Sequence, residues 1–111
     1  MRRTSKVNIS VTLDEQNVPE LITWQAEEGN DAAPKVVEAI NLSFWNGETR
    51  ETMKMDLWTK KMPVHEMKMF YVDMVGSLSD SIINSTGDAA MSKELKECAE
   101  KLMKIVESEF K

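Results

Sequence analysis

Cysteine and histidine are scarce in this chain of 111 residues, which contains one of each. The single cysteine, Cys98, cannot form an intramolecular disulfide, and nothing in the composition suggests secretion. One cysteine and one histidine also cannot supply the usual ligands of a zinc site, so we expect neither metal nor cofactor. Glycine occurs four times, too rarely for a phosphate-binding loop, and no common catalytic motif is present. These absences argue against an enzyme.

Long apolar runs are missing as well. No stretch approaches the roughly 18 apolar residues of a membrane-spanning helix. Arg2 and Arg3 lie near the start, but no apolar run follows them, so we expect no export signal. The net charge of −5 works against binding to a phosphate backbone. We therefore predict a cytoplasmic protein that neither binds nucleic acid nor inserts into a membrane.

The residues that are present have the composition of an ordinary globular protein. Hydrophobic residues make up 41% of the chain and charged residues 30%. The length is close to the commonest size of one domain. We therefore predict a single domain over residues 1–111.

The first half of the chain shows the period-two alternation of β-strands. Strands are predicted over residues 6–14, 22–26 and 37–45 and again after Asn46-Gly47, a strong hairpin signal. Residues 27–35 form the one long loop. A two-residue turn at Asn46-Gly47 would place Ile40 opposite Met53, whereas a longer loop would place Phe44 opposite Met53. Both registers keep the apolar residues on one face, so the register stays open.

Two helices are predicted in the second half, over residues 63–85 and 88–110. Pro63 suits the first turn of the first helix, and Asp88 suits the N-cap of the second. Each helix carries a core-facing stripe of apolar residues spaced three or four apart. These stripes are Val64, Met67, Phe70, Tyr71, Met74, Leu78 and Ile82 in the first helix, and Met91, Leu95, Cys98, Leu102 and Ile105 in the second, widened by Ala99, Val106 and Phe110. Cys98 is therefore expected to be buried.

The order of four strands followed by two helices predicts an α+β fold. An antiparallel sheet with one apolar face must cover that face, and the helices are the only material available. We expect about four antiparallel strands over residues 5–60, with two C-terminal helices packed on one face. Met53 and Met55 would lie in this core. The other face of the sheet would be open to water or to a partner.

Two tryptophans are the least ordinary feature of the sequence. Trp45 and Trp58 both fall on the polar phase of the second hairpin, which they share with Lys54. An exposed aromatic residue on a polar face often marks an interface, although a tryptophan can also simply protect a strand end. Met62 and Met69 fall off the apolar stripe near the joint between strand and helix. We predict a partner-binding surface that contains Trp45, Trp58, Lys54, Met62 and Met69.

Three segments, "VTLDEQNVPELITW", "AINLSFW" and above all "DLWTKKMPVHEMKMF", together match a known family over the first two-thirds of the chain. Through them the chain resembles the gliding-motility protein C (GldC) family of the Bacteroidota. The resemblance implies a small accessory protein of the gliding machinery without enzymatic activity, and it supplies no catalytic residues.

These observations lead to a functional hypothesis and one alternative. The hypothesis is a protein-binding adaptor or assembly factor that uses the outer sheet face and the joint between strand and helix. Its partner would be another component of the gliding machinery, and a homodimer is left open. The alternative is a chaperone-like holdase that binds extended polypeptide segments, an analogy at the level of the fold alone.

Overall fold

A computed structural model describes residues 2–27 and 33–110 of the chain. Residues 28–32, most of the predicted loop, lie outside this description. Five strands are followed by two helices, which confirms the α+β class. They divide into two compact units, residues 1–62 with the strands and residues 63–111 with the helices. The packing of the helices on the sheet stays a prediction.

The first unit contains two sheets, which corrects the expectation of about four strands in one sheet. Strands β1 (Val7–Leu13), β2 (Pro19–Ala26) and β3 (Lys35–Val37) form one antiparallel sheet in that order. Strands β4 (Ala39–Asn46) and β5 (Glu51–Trp58) form the other. The chain bends at Glu38, between β3 and β4. Because of this bend, β3 pairs with β2 while β4 pairs with β5.

The three-stranded sheet follows the predicted alternation. Val11 lies opposite Ile22, and Ile22 also lies opposite Val37 on the other side of β2. Ile22 is completely buried, as its central position between two strands requires. Trp24 lies opposite Lys35, whose ammonium stands 5.1 Å from the centre of an indole ring. This cation–π contact places the Lys35 ammonium at the edge of the small core.

The β4–β5 hairpin adopts the second of the two registers that parity allowed. Phe44 lies opposite Met53, and the last pair before the loop is Asn46 with Glu51. The loop therefore spans residues 47–50 rather than two residues. The Asn46 side-chain oxygen accepts hydrogen bonds from the backbone of Glu48 and Thr49, at 2.9 and 3.2 Å. Arg50 completes the loop with a left-handed φ of 61°.

Helix α1 (Val64–Thr86) begins and ends close to the predicted positions. Pro63 is the N-cap residue rather than part of the first turn, and its extended backbone fits the restricted φ of proline. Gly87 closes the helix with a φ of 74°, and its N–H donates to the Ile83 carbonyl at 3.0 Å. Left-handed geometry at this position strongly favours glycine.

Helix α2 (Ala89–Ser108) follows at once and starts at the predicted cap. The Asp88 carboxylate accepts a hydrogen bond from the Met91 N–H at 2.9 Å. The two helices form an antiparallel helical hairpin that is closed by residues 87 and 88. At its open end, Lys68 forms an ion pair with Glu109 at 2.8 Å, and His65 stands edge-on to Phe110 at 5.4 Å.

The contact between the two helices follows the predicted stripes only in part, because Val106 lies on the widened second stripe while Val72 and Ser79 belong to neither stripe. Val72, Ser79 and Val106 are buried. Ser79 and Ser92 each donate to the other's carbonyl oxygen at 2.8 Å, so small polar residues satisfy one another inside the contact. By contrast, several members of the predicted stripes are exposed, namely Tyr71, Leu78, Met91, Cys98 and Ile105. The expectation that Cys98 is buried is therefore wrong.

Neither helix is long and apolar enough to cross a membrane, and this holds for the whole described part of the chain.

Candidate binding surface

The β4–β5 hairpin carries the two tryptophans on one face, as the alternation predicts. The pairing places Trp45 opposite Thr52 and Trp58 opposite Ala39. Opposed residues of an antiparallel pair share a face. We call this side of the hairpin the tryptophan face, and its members are Ala39, Asn41, Ser43, Trp45, Thr52, Lys54, Asp56 and Trp58.

Both tryptophans are largely exposed, Trp45 at 65% and Trp58 at 52%. Trp45 lies six residues from Ala39, the residue opposite Trp58. At about 3.3 Å per residue, the two tryptophans are therefore roughly 20 Å apart. They stand at opposite ends of the ribbon and cannot line one pocket. The arrangement suits two separate aromatic anchors on an extended partner surface.

A polar strip separates the two tryptophans. The Asn41 amide donates a hydrogen bond to the Asp56 carboxylate directly opposite. Lys54 lies 3.7 Å from the same carboxylate, and its side chain is mostly exposed. Exposed ion pairs of this kind contribute little to stability. The strip is therefore a solvated surface, and its hydrogen-bond donors and acceptors are accessible to a docking partner.

A groove lies beside Trp58, within the first unit. It has a volume of about 300 Å³ and is lined by Asn17, Val18, Pro19, Asp56, Leu57 and Trp58. Asn17 and Val18 belong to the turn between β1 and β2, Pro19 begins β2, and the other three residues end β5. The tryptophan thus has an apolar recess next to it, which gives a partner side chain a place to enter.

Asp14 holds the turn that forms one wall of this groove. Its carboxylate accepts hydrogen bonds from the backbone of Gln16 at 2.8 Å and Val18 at 3.0 Å. Asn17, at the tip of the turn, has a left-handed φ of 64°, a conformation that asparagine tolerates well. The aspartate therefore sets the turn's shape through its own backbone neighbours.

Lys60 ties the same aspartate to the segment that follows Trp58. Its ammonium donates to Asp14 at 2.8 Å and lies 3.8 Å from Glu20. The hydrogen bond from Lys60, helped by the one from Val18, lowers the pKa of Asp14 from 3.8 to about 2. The same hydrogen bond raises the pKa of Lys60. Both groups are thus charged at neutral pH, and the pair joins the two walls of the groove.

Thr59 fixes the base of the hairpin. Its N–H donates to the Glu38 carbonyl at 2.9 Å, and its hydroxyl donates to the Glu38 carboxylate at 2.5 Å. Thr59 is only 1% exposed, so these bonds are made away from water. Thr59, the residue after Trp58, thereby also holds the bend between β3 and β4.

The other predicted surface residues are distributed over both units. Lys54 is exposed on the tryptophan face. Met62 is half-buried at the end of the first unit, where its N–H donates to the Thr59 carbonyl at 3.1 Å. Met69 is half-buried on α1, in the second unit. That Met69 shares a surface with the residues of the hairpin stays a prediction.

The opposite face of the hairpin is apolar, and the expectation that Met53 and Met55 are buried in a core is wrong. Its pairs are Ile40 with Leu57, Leu42 with Met55, and Phe44 with Met53. Phe44 is 55% exposed and Met53 is 64% exposed, and Met55 is exposed as well. Ile40, Leu42 and Leu57, which lie farther from the hairpin loop, are half-buried, so burial decreases toward the loop. We call this side the methionine face. Alternation found its members, but it did not reveal their exposure.

Among the described residues, no group of three or more histidine, cysteine, aspartate or glutamate side chains is placed to hold a metal ion. The single histidine, His65, makes its ring contact with Phe110, and the single cysteine is exposed on α2.

Comparison with known proteins gives one match. A family model described as "Gliding motility-associated protein GldC-like" matches residues 19–108. The match covers most of the chain, including the tryptophan face and both helices, and confirms the resemblance seen in the sequence. No curated protein and no solved structure matches the chain.

Proposed function

The chain belongs to the GldC-like family of gliding motility-associated proteins, and from this premise we propose that it is a non-enzymatic adaptor or assembly factor. It acts in the cytoplasm and binds another protein component of the gliding machinery. The tryptophan face is the binding surface. The observation that carries the proposal is the exposure of Trp45 and Trp58 on one face of the hairpin.

Physical reasons favour this face over the rest of the first unit. Tryptophan gives a large contact area at a small cost in side-chain entropy and is over-represented among residues that dominate binding energies. The strip between the tryptophans carries one lysine and one aspartate, so it presents no net charge to a partner. The groove beside Trp58 adds a recess of about 300 Å³ for a partner side chain. Mixed apolar and polar surfaces of this kind are typical of non-obligate interfaces.

The test compares binding and stability in the same variants. A pull-down from the native cell with mass spectrometry identifies the partner, and affinity is then measured with purified proteins. Trp45→Ala and Trp58→Ala should each weaken binding by about 2 kcal/mol, a common loss for an aromatic anchor. Their free energy of unfolding should change by no more than about 0.5 kcal/mol, as for exposed residues in general. Variants that unfold far more easily than the wild type would show that the tryptophans are structural.

A second candidate function, a holdase for extended polypeptides, is favoured by the exposed methionine face. Methionine side chains adapt to many partners, and Met53 and Met55 are both exposed here. Met53→Gln separates the two candidates because it makes this face more polar and leaves the tryptophan face unchanged. An adaptor should keep its partner affinity in this variant. A holdase should lose its ability to prevent aggregation of an unfolded client, and Trp45→Ala should leave that ability intact.

A further inference from the structure

The outer edge of β4 has no partner strand in the part of the chain that the structure describes. β4 pairs with β5 along one edge, and these two strands make up their whole sheet. An isolated two-stranded hairpin is only marginally stable in water. The unpaired edge therefore offers a row of backbone groups to which another strand can add.

The hydrogen bond at the base of the hairpin identifies the residues that point toward this edge. The Thr59 N–H donates to the Glu38 carbonyl, so position 38 belongs to a hydrogen-bonded pair. Such pairs alternate along an antiparallel ladder. The even-numbered residues of β4 therefore bond to β5, and the odd-numbered residues direct their N–H and C=O groups outward. These residues are Ala39, Asn41, Ser43 and Trp45.

The usual protections of a free edge are absent from β4. Native edge strands are commonly short, charged, bulged or interrupted by proline. β4 spans eight residues, Ala39–Asn46, without a charged residue or a proline. Its register with β5 contains no shift. An edge of this kind is adapted to pairing and is not guarded against it.

We propose that the β4 edge pairs with the β4 edge of a second copy of this chain, giving a symmetric dimer with a four-stranded sheet. Antiparallel pairing about a two-fold axis at Ser43 places Ser43 opposite its own copy. Asn41 then lies opposite the second copy's residue 45, and Leu42 opposite its residue 44. The outward-directed backbone N–H and C=O groups of one copy then face those of the other copy. The apolar side chains of both copies lie on the same face of the joined sheet.

The charge of the chain favours this edge for self-association. Each copy carries a net charge of −5, so two copies repel one another in general. β4 is an uncharged strip along which they can approach. The neighbouring strand β5 carries Glu51, Lys54 and Asp56. Pairing through β4 also joins two tryptophan faces into one continuous surface, although the dimer does not depend on the proposed function.

The first test places a charge on the proposed axis. Ser43→Glu should favour the hairpin itself, because Ser43 lies opposite Lys54 in β5. In the dimer, however, the two new carboxylates would face each other. Sedimentation velocity of the purified wild type should show a monomer–dimer equilibrium that shifts with concentration. Ser43→Glu should raise the dissociation constant at least tenfold with an unchanged circular dichroism spectrum. Thr52→Glu adds the same charge to the same face of β5 and should leave the dimer intact.

The second test uses cross-linking. Hydrogen-bonded residues of an antiparallel pair have Cα atoms about 5.5 Å apart, within the range of a disulfide. In a Cys98→Ser background, Ser43→Cys should form an intermolecular disulfide rapidly on mild oxidation, and Thr52→Cys should not. A wild type that stays monomeric at all concentrations would overturn the proposal. A dimer that survives Ser43→Glu, or cross-linking equal at both positions, would overturn it as well.

Discussion

At the scale of single residues, the pair of Asp14 and Lys60 makes the clearest electrostatic contribution. Lys60 and two backbone N–H groups all donate to one carboxylate. The pKa of Asp14 is lowered to about 2 in the folded protein. A lowered carboxyl pKa stabilises the fold at pH values above the unfolded pKa near 3.8. This stabilisation is lost as the pH falls toward 2.

Asp14→Asn tests this pair. The asparagine oxygen can still accept the backbone hydrogen bonds of the turn, but it carries no charge for Lys60. The variant should melt below the wild type at neutral pH. The difference should shrink as the pH falls from about 4 toward 2, because the carboxyl of the unfolded wild type binds a proton over that range while the folded protein keeps it charged until about pH 2. Thermal melting of both proteins across this pH range is the measurement.

Glu20→Gln is the matched control, since Glu20 lies 3.8 Å from the same ammonium and is not its hydrogen-bond partner. It should change the melting temperature less than Asp14→Asn. A difference between wild type and Asp14→Asn that stays constant with pH would show that the charge of Asp14 does not stabilise the turn.

At the scale of secondary structure elements, the junction between α1 and α2 depends on backbone conformation. Gly87 has a φ of 74°, and a Cβ built there would meet nothing within 4 Å. Gly47 also has free space around it but no positive φ. Gly87→Ala should therefore destabilise the protein by about 1 kcal/mol, the cost of left-handed backbone for an L-residue. Gly47→Ala should lie within about 0.5 kcal/mol of the wild type.

Chemical denaturation of the two glycine variants makes the comparison. Both replace a glycine in open space by alanine, so side-chain contacts contribute to neither. Equal losses of stability in the two variants would mean that φ at the helix end is not the cause.

Periodicity identified the elements well because each strand and helix repeats its own pattern. The two faces of β4 and β5 follow from alternation alone. The bend at Glu38 could not be predicted from the sequence pattern, because no glycine or proline marks it. The hydrogen bonds that hold it come from Thr59, 21 residues away. The hairpin register stayed open because both registers satisfied parity. The longer loop places Phe44 opposite Met53, and Asn46 caps that loop.

The helix contact was predicted only in part, for a different reason. An apolar stripe is found by counting large hydrophobic side chains, but the helices meet through Ser79, Ser92 and Val72. Serines bury well when they bond to each other, and such pairing cannot be read from one helix alone. The candidate binding surface was also predicted only in part. The alternation of residues placed Trp45 and Trp58 on one face of the hairpin. The groove beside Trp58 could not be predicted, because it depends on the turn that Asp14 holds.

At the scale of the whole molecule, the chain has a net charge of −5, whereas the tryptophan face carries no net charge. Charges screened by salt act within roughly 10 Å at 0.1 M ionic strength. Lys54 and Asp56 on the face cancel each other. A partner that docks on this face is therefore held by aromatic contacts and short polar contacts, and the excess acidic charge elsewhere has little part in it.

This separation predicts the salt dependence of binding. The dissociation constant for the captured partner should change by less than about threefold between low and high salt, because charge attraction is not the main contribution. Trp45→Ala should weaken binding by the same factor at both salt concentrations. The measurement is isothermal titration calorimetry over a series of salt concentrations. An affinity that falls tenfold or more with salt would place the main contact on the acidic surface. The tryptophan face would then be at most its border.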